Sequence, residues 1–332
     1  MLNPKQHLNP AMFERDIEKT PIRNGYGEGL LLLGDTHPQV VALCADLLES
    51  TRTEAFAKKY PDRYIEIGVA EQNLASVASG MAAMGKIPFI TSYAMFSPGR
   101  NWEQIRTTIC YNDRPVKIAG SHAGISVGPD GGTHQAIEDI AITRVIPNMI
   151  VLSPCDAIEA TKAVLQCVDN GKPTYIRLTR EKTPVITSEK TPFEIGKAEL
   201  FYDTKGPADV VVIATGALVH KALVVANLFE DQGVNVKVLN LHTIKPLDTE
   251  TILRYVAEAG AVVTVEEHQI AGGMGSAVAE MLVQEYPVPV EFVGVRDQFG
   301  QSGTPDELLS QYEMDEHAIR IAIQRVLKRK MG

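Results

Sequence analysis

Cysteine is scarce in this chain of 332 residues. The four that occur, Cys44, Cys110, Cys155 and Cys167, stand far apart, with no CxxC pair and no Cys/His ligand spacing. That favours four reduced packing thiols over a disulfide framework or a structural zinc site, in a protein expected in the reducing cytoplasm. Long apolar runs are missing too. Nothing approaches the roughly 18 uninterrupted apolar residues of a membrane span, and the opening MLNPKQHLNPAMFERD lacks the apolar centre of a signal peptide. Positive charge is in deficit, with 32 Lys and Arg against 41 Asp and Glu and a formal net charge of -9. Neither nucleic acid nor a membrane surface is therefore an expected partner, although a small basic site for a phosphorylated metabolite stays open. Internal repeats, low-complexity tracts and heptads are absent, as are a GxxxxGK[ST] phosphate loop and a GxSxG nucleophile elbow.

What is present is an ordinary soluble composition, 45% apolar and 22% charged, in a chain too long for one core, so two α/β domains are expected. From residue 12 an amphipathic helix is expected to open an alternation of helix and strand. VVALCAD (40–46), RYIEIG (63–68), KIPFITSY (86–93), PVKIAGS (115–121), MIVLSP (149–154) and PTYIRLT (173–179) are short apolar runs. Separated by helical segments, they predict a mostly parallel sheet covered by helices on both faces. REKTPVITSEKTPFEIGKAEL then interrupts with prolines, threonines and charges, as an interdomain linker would. A smaller, separate α/β set follows: ADVVVIATG (208–216), VNVKVLNL (234–241), AVVTVEE (261–267) and VEFVGV (290–295). The expected division is a domain over 12–188, a linker over 189–197 and a domain over 198–330. GGMGS (272–276) lacks the spacing of a dinucleotide fingerprint and reads as a tight strand-to-helix turn.

Three stretches carry chemistry. RYIEIGVAEQNLASVASGMAAMG (63–85) passes from strand to a helix rich in small residues, with one acid, Glu71, at the join. A carboxylate there either faces water or has a specific partner, because burying it as a lone ion is costly. FITSYAMFSPGRNWEQIR (89–106) sets Tyr93, Phe96 and Trp102 beyond a strand end, where aromatics either plug the core or offer a stacking surface. SHAGISVGPDGGTHQAIED (121–139) runs from a strand into a glycine-rich loop with His122, Asp130 and His134. It is either a long polar turn capping a helix over 135–145 or a loop binding hydroxyls and phosphate, and the concentration of such groups favours the second.

GVAEQN, SYAMF and DGGTHQ, in this order, closely resemble the pyrimidine-binding domain of transketolase-like thiamine-diphosphate enzymes. VNVKVLNLHTIKPLD and VVTVEEHQIAGGMGSAVAE resemble the C-terminal domain of the same family. The resemblance covers nearly the whole chain and implies the two matching folds in that order. It implies that Glu71 hydrogen-bonds N1′ of the thiamine aminopyrimidine and is catalytic, with Phe96 stacked on that ring and Tyr93 and Trp102 lining the pocket. It places His134, also catalytic, and Asp130 on sugar hydroxyls. It assigns the substrate phosphate to His122, Arg23, Ser50 and Arg180, a set whose guanidiniums suit a phosphomonoester. Read alone, Ser50 is as well a helix cap and Arg23 a surface charge.

The resemblance also marks what is missing. Full-length relatives bind diphosphate and its divalent metal through a GDG…N motif, and no GDG occurs here. The implication is the C-terminal subunit of a split transketolase, acting on phosphorylated sugars. A partner N-terminal subunit would bring the diphosphate half and the Mg2+ (or Ca2+ or Mn2+), in a heterotetramer. Gln72-Asn73 after the catalytic acid departs from fused transketolases, which usually have His there, and moves toward deoxyxylulose-phosphate synthase and split transketolases. That synthase is normally one chain, and RLTREK differs from its RYPRG. A 2-oxoacid dehydrogenase β subunit lacks a DGGTHQ-like loop, and a non-catalytic orphan subunit has no reason to retain Glu71, Phe96 and His134.

Overall fold

The computed structural model describes residues 1–331. Its strands are β1 (Lys19–Pro21), β2 (Val40–Cys44), β3 (Tyr64–Glu66), β4 (Ile87–Tyr93), β5 (Lys117–Ser121), β6 (Ile150–Leu152), β7 (Thr174–Arg177), β8 (Lys182–Pro184), β9 (Glu199–Tyr202), β10 (Val210–Ala214), β11 (Val236–Asn240), β12 (Thr243–Lys245), β13 (Val262–Gln269) and β14 (Val290–Val295). The helices are α1 (Ile22–Thr36), α2 (Glu54–Lys59), α3 (Glu71–Ala83), α4 (Trp102–Gln104, running on as a π-helical stretch Ile105–Cys110), α5 (Asp139–Arg144), α6 (Ala157–Cys167), α7 (Val219–Glu230), α8 (Thr249–Ala259), α9 (Met274–Glu285), α10 (Pro305–Gln311) and α11 (Glu316–Met331). Each expected strand is present. β2, β5, β7, β10 and β11 are buried at every position, which is why they read as unbroken apolar runs rather than alternating ones.

The first sheet has the order β12-β6-β7-β5-β4-β2-β3 and the second β14-β13-β10-β11-β9. Both are parallel apart from an edge strand, β12 against β6 and β9 against β11. β12 belongs by sequence to the second set yet completes the first sheet, and Lys245 at its end donates to the carbonyls of Arg144 and Ile146 at 2.9 and 2.5 Å. The second unit is therefore not separate. One apolar cluster runs from Leu74, Ile90 and Ile118 in the first sheet's layers to Val211, Leu239 and Val256 in the second's.

Two other expectations shift. The opening helix begins at Ile22, not near residue 12, because Met12 and Ile17 are drawn instead into the core of the second sheet. The segment after β7 has a linker's composition but is strapped down. β8 pairs with β1, and the Asp156 carboxylate, which caps α6, also accepts from Ile186 N at 2.9 Å and Thr187 N at 2.6 Å. Polar residues there serve a packed strap. GGMGS is the tight turn expected: the buried Glu266 carboxylate accepts from the backbone N–H groups of Met274 (2.7 Å) and Gly275 (2.8 Å). The chain's own acid thus fills the anion-binding start of α9.

α1 and α6 pack closely because α1 presents glycine where they meet. A methyl on Gly25 would run into the Ala157 carbonyl, and one on Gly29 would lie 2.8 Å from Val164 Cβ. By helix propensity alone Gly25→Ala should stabilise by up to about 1 kcal/mol. We expect overpacking to reverse the sign, for a net loss of about 1–3 kcal/mol in urea unfolding. Gly80→Ala, on the exposed face of α3 with open space around it, should gain about 0.5–1 kcal/mol in the same measurement.

Candidate active site

The site forms at the carboxyl ends of neighbouring parallel strands, where an open α/β sheet leaves a crevice. The end of β4 delivers Tyr93 and the turn carrying Phe96; the end of β5 delivers His122. Glu71 is the first residue of α3, Arg23 the second of α1. A line of rings joins them. His122 stacks on Tyr93 with centroids 3.8 Å apart, Tyr93 lies parallel to Phe96 at 6.0 Å, and His134 meets Phe96 edge-on at 5.4 Å.

One end of this line is acidic. The Glu71 side chain is 2% exposed, and its partner is one the sequence did not reveal. Arg100 Nη1 lies 2.8 Å from Glu71 Oε2, while the same guanidinium sits 4.4 Å from the centroid of Phe96. The other carboxylate oxygen has only the Ser92 hydroxyl, at 3.5 Å. Asn101 Nδ2 donates to the Glu71 carbonyl at 2.9 Å and fixes the start of the helix. Glu71 is thus a carboxyl with a specific partner rather than one facing water.

The other end is basic. Arg23 Nη1 donates to the Ser50 carbonyl at 2.7 Å and faces His122 Nε2 at 3.2 Å; its Nε is buried with no partner among the described residues. Burial, and then the positive charges of Arg23, Arg180 and Arg52, push the His122 pKa down to about 3. The imidazole is neutral at physiological pH, with Nδ1 2.9 Å from the Ser121 hydroxyl. Arg180 donates to the Val127 carbonyl at 2.8 Å and lies 3.5 Å from Asp130, which ties it to the glycine-rich loop. That loop is held from behind by the second sheet's side. Glu267 accepts from Ser126 N at 2.6 Å, and Gln135 Nε2 donates to the carbonyls of Ile125 (3.0 Å) and Gln301 (2.9 Å). Spending Gln135 this way delays the following helix to Asp139.

Arg23, Ser50, Glu71, Tyr93, Phe96, His122, Asp130, His134 and Arg180 are thereby gathered into one region. Trp102 is not. Its indole N–H donates to the Ile142 carbonyl at 2.6 Å and its ring packs on the apolar cluster beneath the sheet, so it backs the wall instead of lining it. Ser50 meets Arg23 through its backbone carbonyl and does not cap α2, which has no side-chain cap. Arg100, Asn101 and Arg52 were missed, since an arginine or asparagine in a polar turn carries no periodic signal. All four cysteines are buried and free.

The chain thus joins two mostly parallel sheets, with an acid, a row of rings and a basic end at the strand tips of the first. The transketolase pyrimidine-binding domain matches residues 18–185 and the transketolase C-terminal domain residues 200–319, and the chain belongs to the transketolase family. It is 41% identical over 312 residues to a putative transketolase C-terminal section of Methanocaldococcus jannaschii, covering 93% of this chain and 97% of that protein. It is 40% identical to the 6-deoxy-6-sulfo-D-fructose transketolase subunit SqwH of a Clostridium species, covering 96% and 98%. A solved split-gene transketolase, described as an inactive β4 tetramer, superposes with a TM-score of 0.87 at 43% identity, covering 93% of this chain and 99% of that one. In domain content and extent the chain is similar to these split-transketolase C-terminal subunits. Thiamine-diphosphate dependence follows from the family. No described helix is long and apolar enough to cross a membrane.

The buried, neutral His122 has a consequence for stability. Its folded pKa, about 3, lies below the ordinary 6.5, so within that window the unfolded chain binds the extra proton and stability falls as pH falls. His122→Asn should flatten the pH dependence of the unfolding free energy by about 1.4 kcal/mol per pH unit between about pH 6 and pH 4, measured by urea titration against wild type.

Proposed function

We propose that this chain, joined to a partner subunit that binds diphosphate and its divalent metal, transfers a two-carbon ketol unit from a ketose phosphate to an aldose phosphate. The observation that carries the reading is the placement of a buried carboxyl and an aromatic face within the span of one guanidinium. Arg100 reaches both Glu71 and Phe96. A protonatable, flat aminopyrimidine needs those same two things, an acid for a ring nitrogen and an apolar face to lie on, so the residues present fit the group. Thiamine diphosphate, when bound, supplies the nucleophilic carbon and the electron sink for the ketol unit.

The chain's own residues do the rest. Glu71 holds or gives up a proton at a carboxylate oxygen, with Ser92 steadying Oε1. Phe96, braced by Tyr93, orients the ring and keeps water from its face. His134, edge-on to Phe96, and Asp130, beside Arg180, take substrate hydroxyls. Arg23, Ser50, His122 and Arg180 hold the anionic end; neutral His122 accepts or donates a hydrogen bond there while the guanidiniums supply charge. Two such chains with two partner chains would close a symmetric heterotetramer. The similar Clostridium subunit is named for a 6-deoxy-6-sulfo sugar, so the anionic group is the part of the substrate that differs within such relatives.

Alone, the purified chain should show no ketol transfer, and adding the partner subunit, thiamine diphosphate and Mg2+ should create it. Transfer by the chain alone would refute the split-site reading. In the reconstituted complex, Glu71→Gln should lower kcat by about 10²–10⁴ with little change in cofactor affinity, because glutamine keeps the hydrogen bond but not the proton transfer. Arg180→Ala should instead raise KM for the phosphorylated substrate and spare kcat, the signature of lost uniform binding. Sedimentation with and without the partner tests the assembly, a strictly monomeric chain in both being the contrary result.

A further inference from the structure

The basic end of the site contains one guanidinium more than the resemblance assigns. Arg52 lies on the turn after β2, where its backbone takes a left-handed conformation with φ of 64°. Gly27 of α1 makes room for it: a Cβ there would come within 2.6 Å of the Arg52 carbonyl oxygen and 2.7 Å of its Cβ. The turn therefore lies flat on α1, one helical turn from Arg23. Arg52 Nε donates to Asn24 Oδ1 at 2.9 Å, which ties the side chain to α1, and its terminal nitrogens have no hydrogen-bond partner among the described residues. Its field depresses the pKa of Arg23, after burial and ahead of Arg180, and it adds to the repulsion felt by His122.

The charges are unequally compensated. Arg180 has Asp130 at 3.5 Å and Glu181 at 3.6 Å. Among the described residues neither Arg23 nor Arg52 has a carboxylate within 4.0 Å, and the buried Arg23 Nε has no acceptor at all. Two uncompensated cations, one of them carrying an orphaned donor, lie within each other's field beside a neutral imidazole. A phosphate monoester carries nearly two negative charges at neutral pH and offers three acceptor oxygens; a sulfonate carries one.

We propose that Arg52 is a substrate-contacting member of the anion cradle and, with Arg23, matches it to a dianionic phosphate monoester over a monoanionic sulfonate. The inference rests on the reading of Arg23, His122 and Arg180 as that cradle. Because the test needs neither partner nor cofactor, it separates the two ideas.

The test is titration of the isolated chain with methyl phosphate and with methanesulfonate, followed by calorimetry or ligand NMR. Arg52 is exposed, so Arg52→Gln should fold, which its melting curve verifies. Wild type should prefer methyl phosphate. Arg52→Gln should lose about tenfold for methyl phosphate and about threefold for methanesulfonate, as expected when one cation faces two charges instead of one. Arg52→Lys should recover most of both. If Arg52→Gln binds both anions like wild type while Arg180→Gln does not, Arg52 is outside the cradle and the inference falls, with the transketolase reading intact. Equal losses for the two anions overturn the charge matching. If the wild-type chain binds neither anion saturably, or if neither variant changes binding, the cradle itself is misread and both ideas fall.

Discussion

One buried guanidinium, Arg177 at the end of β7, holds the two halves of the molecule and the site loop in register. Its Nε meets Asp139 Oδ2 at 2.8 Å, and its Nη2 donates to the Glu267 carbonyl at 2.8 Å and the Ala136 carbonyl at 3.3 Å. Tyr175 donates to the same Asp139 oxygen at 2.6 Å. Burial lowers the Arg177 pKa, and the carboxylates of Asp139 and Glu267 more than offset it, so the net shift is upward. Sealed pairs of this kind add little net stability over an apolar substitute, but breaking one costs on the order of 3–5 kcal/mol, so they fix arrangement more than they add strength. Here the arrangement fixed is that of first sheet, α5, second sheet and the loop that Glu267 grips at Ser126.

That network explains why the second unit is present although every gathered site residue comes from the first. The loop from His122 to Gln135 is rich in glycine and makes few contacts of its own kind. It is positioned by Glu267 from β13, by the Gln301 carbonyl, and by the approach of Gly132 to the Gly300 carbonyl, where a Cβ would lie 2.7 Å away. Glu159, whose pKa burial raises to about 7, bonds Asn240 across the same boundary at 2.7 Å. A sheet shared through β12 makes the boundary stiffer still. The second unit thus holds the glycine-rich loop of the first in place.

The sequence disclosed what periodicity and composition control. Buried parallel strands announce themselves as apolar runs, so β2, β4, β5, β7, β10, β11 and β13 were all legible, as were the ring-bearing strand ends at Tyr93 and His122. Three-residue strands such as β1, β8 and β12, made of Lys, Thr, Ile and Pro, have no period long enough to register, and their pairing depends on tertiary neighbours. The strap around Ile186 reads as a linker because the acceptor that satisfies its backbone, Asp156, is thirty residues upstream. Arg52 and Arg100 are invisible for a related reason: an arginine in a turn looks solvated until the fold shows what lies beside it, Asn24 and Arg23 for the one, Glu71 and Phe96 for the other. Trp102 fails the other way, since being an aromatic beside a strand end does not determine which side of the wall it faces.

Glu71 and Asp139 pose the same problem, a buried carboxylate that needs a cation, and the fold answers it twice in opposite ways. Arg177 is 3% exposed in its side chain and tied at both ends of its fork, so the Asp139 pair has no alternative partner and serves as a rivet. Arg100 is 48% exposed, approaches Glu71 from the solvent side, and rests on the face of Phe96 instead of being wrapped by backbone carbonyls. Solvent screens such an open pair, which makes it worth far less than a sealed one and correspondingly cheap to exchange. Glu71 is thus fixed where Asn101 holds its backbone and covered on the other side by a half-exposed guanidinium, which under the function proposed above is the side a planar ring would reach. A carboxyl meant only to start a helix needs no such asymmetry.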